Sequence, residues 1–199
     1  MIISLQSFVI SFFIFFAPFI QNDLGLLNEV QSHYETIDNF KADFRQITGT
    51  GHVATGTFFY KSKDHFRIEL DDRILISDGE SIWNYSLKTD KVIISSSEEE
   101  TTSFSIDDYI YEFPKQCSIS YDKEDDLKIV MLKPKTGELD FKEVKLWINE
   151  NKVVEKLQLI DLMDNRFTVE LTNIKLNKDL SSDLFTFSPK EGTNVIDLR

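Results

Sequence analysis

Cysteine is almost missing from this chain, and charge is missing from its start. Cys117 is the only cysteine, which excludes an intramolecular disulfide and a cysteine-based metal site. It also lies far from the N-terminus, where a lipidated cysteine would stand. Residues 1–22 hold no Asp, Glu, Lys or Arg. Proline and glycine are scarce, four and seven in 199 residues, so neither collagen-like nor low-complexity disordered sequence is present. The three histidines, His33, His52 and His65, show no HxxxH or HExxH spacing, and no Gly-x-Ser-x-Gly elbow occurs. Gly49, Gly51 and Gly56 are spaced for a hairpin, not for a phosphate-cradling loop that opens a helix. The acidic clusters Asp71-Asp72 and Glu98-Glu99-Glu100 read as solvated loops, with weak calcium binding as the alternative. With no nucleophile beside a base, an enzyme is not expected, and neither is a cofactor or metal.

What is present begins with residues 8–20 (FVISFFIFFAPFI), an apolar run with six phenylalanines. Polar sequence starts at Gln21-Asn22-Asp23. This reads as an export signal over residues 1–21, although no Lys or Arg precedes the run and no small-x-small cleavage site follows. An uncleaved membrane anchor is the alternative, because about 20 apolar residues suffice to span a bilayer. The remainder, 22–199, has the length of one ordinary domain. It carries the whole formal charge of −12, which repels phosphate backbones and argues against nucleic acid.

Leu24, Leu27, Val30, Tyr34 and Ile37 recur at steps of three and four, which predicts a helix over 23–38 with Asp23 as N-cap. From residue 40 the period changes to two. Phe40, Ala42 and Phe44 alternate with charged residues, as do Phe66, Ile68 and Leu70. Val144, Leu146 and Ile148 alternate with Glu143, Lys145 and Trp147, and Phe167, Val169 and Leu171 with Thr168, Glu170 and Thr172. Further strands are expected at 54–61, 73–77, 81–86, 91–95, 117–121, 127–133 and 153–161. About eleven strands on short polar turns make an antiparallel meander with one apolar face. The polar stretch 95–103 interrupts it. Ser105-Ile106-Asp107-Asp108 then reads as a capping box for a short helix with Ile106, Tyr109, Ile110 and Phe113 on its apolar stripe, stopped by Pro114. These two helices are the available cover for the sheet. Eleven phenylalanines, two tryptophans and six tyrosines follow the leader. They suit either a packed core or the wall of a ligand cavity.

Several segments together resemble the periplasmic lipoprotein carrier (LolA-like) family. They are Phe40-Lys41-Ala42-Asp43-Phe44-Arg45-Gln46, Gly56-Thr57-Phe58-Phe59-Tyr60, Phe66-Arg67 and Ser77-Asp78-Gly79-Glu80-Ser81-Ile82-Trp83-Asn84-Tyr85. Leu146-Trp147-Ile148, Asn173, Phe185-x-Phe187-x-Pro189 and Gly192-x-x-Val195 follow in the family's order. The resemblance implies an unclosed antiparallel β-barrel of about eleven strands, its concave apolar face covered by short α-helices. It implies a soluble, monomeric periplasmic carrier that shields the acyl chains of lipoproteins. Such a carrier takes them from an inner-membrane exporter and delivers them to an outer-membrane receptor. A lipid-binding envelope sensor or glycolipid shuttle on the same fold is the alternative. The acyl cavity is expected to be walled by Phe44, Phe58, Tyr60, Phe66, Ile68, Trp83, Leu146, Ile148, Leu159, Phe167 and Val169, with Phe66 at its mouth. The lid is expected to comprise Leu24, Leu27, Tyr34, Ile106, Ile110 and Phe113. One departure concerns the family's Arg-Pro pair, whose arginine latches the lid. Ser62 and Lys63 stand there instead, and a lysine lacks the planar fork of arginine.

Overall fold

The computed structural model describes residues 24–61, 65–97 and 105–199. The expected export signal at 1–21, the Asp23 cap, Ser62 and Lys63, and the triplet Glu98-Glu99-Glu100 lie outside them, as does the side chain of Leu24.

All eleven expected strands are present. They are β1 (Asn39–Thr48), β2 (Val53–Lys61), β3 (His65–Leu70), β4 (Arg73–Asp78), β5 (Ser81–Ser86), β6 (Lys91–Ser96), β7 (Cys117–Glu124), β8 (Leu127–Pro134), β9 (Phe141–Ile148), β10 (Val154–Asp161) and β11 (Arg166–Leu176). A twelfth, β12 (Asn194–Asp197), runs parallel to β6. Four residues give too little alternation to be read as a strand from sequence. The order β12-β6-β5-β4-β3-β2-β1-β11-β10-β9-β8-β7 forms one sheet with two free edges, so the barrel is unclosed. Two meanders, β1–β6 and β7–β11, are joined where β1 pairs with β11.

Pairing register sets which side chains face inward, since directly opposed residues share a face. Phe44 opposes Gly56 on one side and Leu171 on the other. Phe66 opposes Tyr60 and Ser77, and Ser77 opposes Ile82. These residues face the concave side. The extra residue in β11 lies between the pairs Lys41–Lys175 and Asp43–Thr172. There Asn173 has φ 52° and donates its side-chain amide to Asp43 Oδ2 at 2.7 Å. The bulge switches parity, so Leu171 before it and Ile174 and Leu176 after it all pack on the same core.

The helix α1 (Leu24–Tyr34) is shorter than expected. It ends in tight turns in which Thr36 and Ile37 donate their N–H groups to His33 and Tyr34 carbonyls, while the Thr36 hydroxyl also caps His33. Leu26, Leu27, Val30, Tyr34 and Ile37 are all buried. The second helical segment differs more. The Ser105 hydroxyl does accept from the Asp108 N–H, at 3.3 Å. A π-helical turn (Asp108–Glu112) follows, and the chain continues through Pro114 into α2 (Phe113–Gln116). Pro114 stands at the first turn of α2, where its missing N–H is tolerated.

Trp83 departs from the expected cavity wall. It opposes Ile76 and Ile94 on the outer face, and Ile82 takes the inward position. Outside the main core, Ile76, Val92, Ile94 and Phe185 form a second buried set beneath the C-terminal chain. The β-alternation was correct there, but both phases of β5 are apolar. The choice of face is made by the C-terminal segment, whose Phe187 ring lies 5.1 Å from Tyr85.

Gly56 is the position where two strands approach too closely for any side chain. A Cβ there would stand 1.9 Å from the Glu69 carbonyl oxygen. Gly56→Ala is expected to lower stability by about 2–4 kcal/mol, in the range of severe packing strain. Gly137→Ala, at a site with no neighbouring atom within 4 Å, is expected to change it by less than about 0.5 kcal/mol. Equal thermal melting of the two variants would contradict the close-approach account.

Candidate functional site: a covered apolar interior

β1 and β2 bring a row of rings beneath α1. Phe40 stacks on Tyr60 with centroids 4.8 Å apart and meets Phe58 edge-on at 5.5 Å, while Phe44 lies 6.4 Å from Phe58. Opposite them, Leu157 and Leu171 come from the second meander, and Ile106 and Tyr109 close the space from above. A cavity of about 30 Å³ remains among Phe44, Phe58, Ile106, Tyr109, Val154, Lys156, Leu157, Val169 and Leu171. That is room for only one or a few waters, far less than a long acyl chain requires. The interior is therefore closed, filled by its own wall and cover.

Of the wall residues expected from sequence, Phe44, Phe58 and Val169 line this cavity. Tyr60, Phe66, Ile68, Leu146 and Ile148 belong to the same buried core without touching it. Phe66, expected at a mouth, is only 3% exposed in this closed state. Leu159 is half-buried and packs on the core; Phe167 is half-buried beyond it. Of the lid residues, Leu27, Tyr34, Ile106 and Ile110 are buried. Phe113 is half-buried, its ring 5.1 Å from Tyr109 and 5.3 Å from Phe141. The sequence reading left Tyr109, Val154, Leu157 and Leu171 out of the site. The alternations Leu157–Leu159 and Val169–Leu171 carried the signal for two of them. The bulge that turns both Val154 and Leu157 inward, between the pairs Val154–Ile148 and Lys156–Trp147, is set by strand pairing. Lys156 lines the cavity while its ammonium lies 4.2 Å over the Trp147 ring.

The cover is tied down by polar contacts as well as by packing. The Tyr60 hydroxyl donates to Asp107 Oδ1 at 2.7 Å. Burial, reinforced by the Asp107 carboxylate, pushes the Tyr60 phenol far above its ordinary pKa, so it remains the donor. Pro114 has no N–H to offer the Ile110 carbonyl four residues back, and Gln31 Nε2 donates to that oxygen at 2.8 Å. The Tyr111 hydroxyl in turn donates to the Gln31 carbonyl at 3.0 Å. Below α1, the Val154 N–H donates to the Tyr34 hydroxyl at 3.2 Å. The π turn adds a locally unfavourable hydrogen-bond pattern, a form found mostly as single turns and often at functional sites. The arrangement suits reversible opening: an apolar roof over an apolar interior, secured by a few side-chain hydrogen bonds. At its C-terminal end the segment is also joined to the second meander, where the Gln116 carbonyl accepts from the Lys135 N–H at 3.0 Å. Cys117, the sole cysteine, is buried and its thiol is pushed up by that burial.

Tyr60→Phe keeps the ring and its stack on Phe40 but deletes the contact to Asp107. A hydrogen bond to a charged group is worth about 1.5–3 kcal/mol, the upper limit here because Asp107 can turn to water. The variant is expected to speed amide exchange at 105–116 selectively and leave β9–β11 protected. Uniformly faster exchange across the sheet would make Tyr60 a core residue with no separate hold on the cover.

Comparison with known proteins agrees with this architecture. Residues 35–188 match the family described as outer membrane lipoprotein carrier protein LolA. An outer-membrane lipoprotein carrier protein of Pseudomonas paraeruginosa is 28% identical over 188 residues, covering 89% of this chain and 86% of the relative. One from Coxiella burnetii is 24% identical over 182 residues, covering 85% and 84%. Among solved structures, an uncharacterized conserved protein from Thermus thermophilus superposes with TM-score 0.59 at 11% identity, covering 85% of this chain and 98% of the other. At that identity the likeness concerns the fold. The family match spans most of the chain and falls on both meanders and on residues 105–116, and the chain belongs to the LolA outer-membrane lipoprotein carrier family.

Proposed function

We propose that this protein is a soluble periplasmic carrier that holds the acyl chains of lipoproteins under its helical cover and ferries them from the inner to the outer membrane. Residues 1–21 act as the export signal and 22–199 as the carrier domain. An inner-membrane exporter loads it and an outer-membrane receptor unloads it, with no catalytic step. The observation that carries this reading is the closed apolar interior beneath a cover held by Tyr60–Asp107 and Gln31–Ile110.

Magnitudes favour reversible holding over permanent capture. Sheathing a chain of about 16 carbons gains on the order of 12 kcal/mol at about 0.8 kcal/mol per methylene. Opening opposes this by a few hydrogen bonds of about 1–3 kcal/mol each, the largest being that to the charged Asp107. Re-exposing Ile106, Tyr109 and Ile110 adds about 1.5–3 kcal/mol apiece. The cover therefore subtracts a large share of the gain, and the apparent affinity falls with the fraction of open molecules. A carrier that must surrender its cargo needs that subtraction.

A hydrophobic dye is expected to bind the protein saturably, and a synthetic triacylated lipopeptide to displace it, whereas the same peptide without acyl chains does not. Absence of a saturable dye site would reduce the interior to an ordinary core and remove the carrier reading.

A further inference from the structure

Tyr109 stands on the π-helical turn of the cover and lines the cavity beneath it. The residue is only 3% exposed, and its hydroxyl makes no hydrogen bond to any described residue. The neighbouring tyrosine hydroxyls are all engaged. Tyr60 donates to Asp107, Tyr111 donates to the Gln31 carbonyl, and Tyr34 accepts from the Val154 N–H. Burial, and then the charge of Asp108, pushes the Tyr109 phenol above its ordinary pKa, so the group stays a neutral donor at physiological pH.

A buried hydroxyl without a partner is costly, and a phenylalanine would fill the same place without that cost. The chain does use phenylalanine in this cavity, at Phe44 and Phe58. Of the lining residues, only Tyr109 and Lys156 carry a polar side-chain atom. The Lys156 ammonium is already engaged, 4.2 Å over the Trp147 ring. Tyr109 is therefore the lining residue whose polar group is left without a contact.

We infer that the Tyr109 hydroxyl reads the cargo: it donates to an ester carbonyl at the root of an acyl chain sheathed beneath the cover. This deepens the carrier reading and rests on it. An acyl chain is hydrocarbon up to its first carbon, where the carbonyl accepts a hydrogen bond. A wall of hydrocarbon alone would strip that carbonyl of water and leave it unpaired, with the same penalty. One neutral donor on the cover removes both penalties together. A neutral phenol suits an uncharged ester, whereas a free carboxylate or a phosphate calls for a cation. The glyceryl esters are the fitting acceptors, because the N-acyl amide belongs to the cysteine from which the polypeptide leaves for water. Since Tyr109 rides on the cover, its donor is unpaired in the empty closed form and paired in the loaded one, which favours the loaded form.

The test compares a triacylated lipopeptide with an analogue in which both glyceryl esters are ethers, so chain lengths and head are kept and two carbonyls are lost. Affinities for both are measured by displacement of a hydrophobic dye from wild type, Tyr109→Phe and Tyr60→Phe. The ester-to-ether affinity ratio is expected to be about three- to tenfold higher in wild type than in Tyr109→Phe, the factor of one neutral hydrogen bond. The ether analogue is expected to bind these two proteins alike. Tyr109→Phe is expected to melt no lower than wild type, because no protein contact is lost. Tyr60→Phe, which loosens the cover for any cargo, shifts both ligands together and keeps the wild-type ratio. An unchanged ratio in Tyr109→Phe, or the same fall in Tyr60→Phe, overturns the inference and leaves the carrier reading standing. Lower melting of Tyr109→Phe also overturns it, since the hydroxyl would then serve the fold. If neither lipopeptide displaces dye from wild type, the carrier reading itself fails and the inference falls with it.

Discussion

The pairing of β1 with β11 is the constraint on which the rest depends. Each meander alone is a sheet with one apolar face and nothing to bury it against. Pairing Phe40 through Thr48 with Leu176 through Phe167 fuses the two into one surface. The aromatic row of β1 and β2 then faces the leucines and valines of β9–β11. The contact is non-local, with Arg45 and Glu170 meeting 125 residues apart on the outer face, so its loop-closure cost must be met before the core returns anything. The Asn173 bulge sits in this seam and keeps both ends of β11 facing inward.

Given that seam, the cover follows from chain geometry. Among the described residues of the connection from β6 to β7, 105–116 lie over the concave side. Ile106, Tyr109 and Ile110 fall into the space between the meanders, and Pro114 leaves a carbonyl that Gln31 takes. The cover is not itself a strand of the sheet. It is short, partly π-helical, and anchored by side chains to α1 and β2.

Much of this was legible because period-two alternation is a local signal. Eleven strands, the amphipathic α1 stripe and the Ser105 cap could be read directly. The face taken by β5 could not, because Ile82 and Trp83 are both apolar and the decision belongs to the C-terminal segment packing outside. Pro114 is expected as a stop, yet the helix continues around it, because the Ile110 carbonyl it leaves without a backbone donor is taken by Gln31. The Tyr60–Asp107 contact joins residues 47 apart, and nothing in local sequence announces it. Phe66 likewise sits inside the core here, where alternation places it, and not at an opening.

If residues 105–116 lift from the wall to admit cargo, the distance across the cover must lengthen on loading. Spin labels at Glu112, exposed on the cover, and Glu150, in the β9–β10 turn, would report that movement directly as an interspin distance. Saturating triacylated lipopeptide is expected to shift the distribution to a distinct, longer population that the free protein visits rarely. An unchanged distribution with lipopeptide bound would contradict the account.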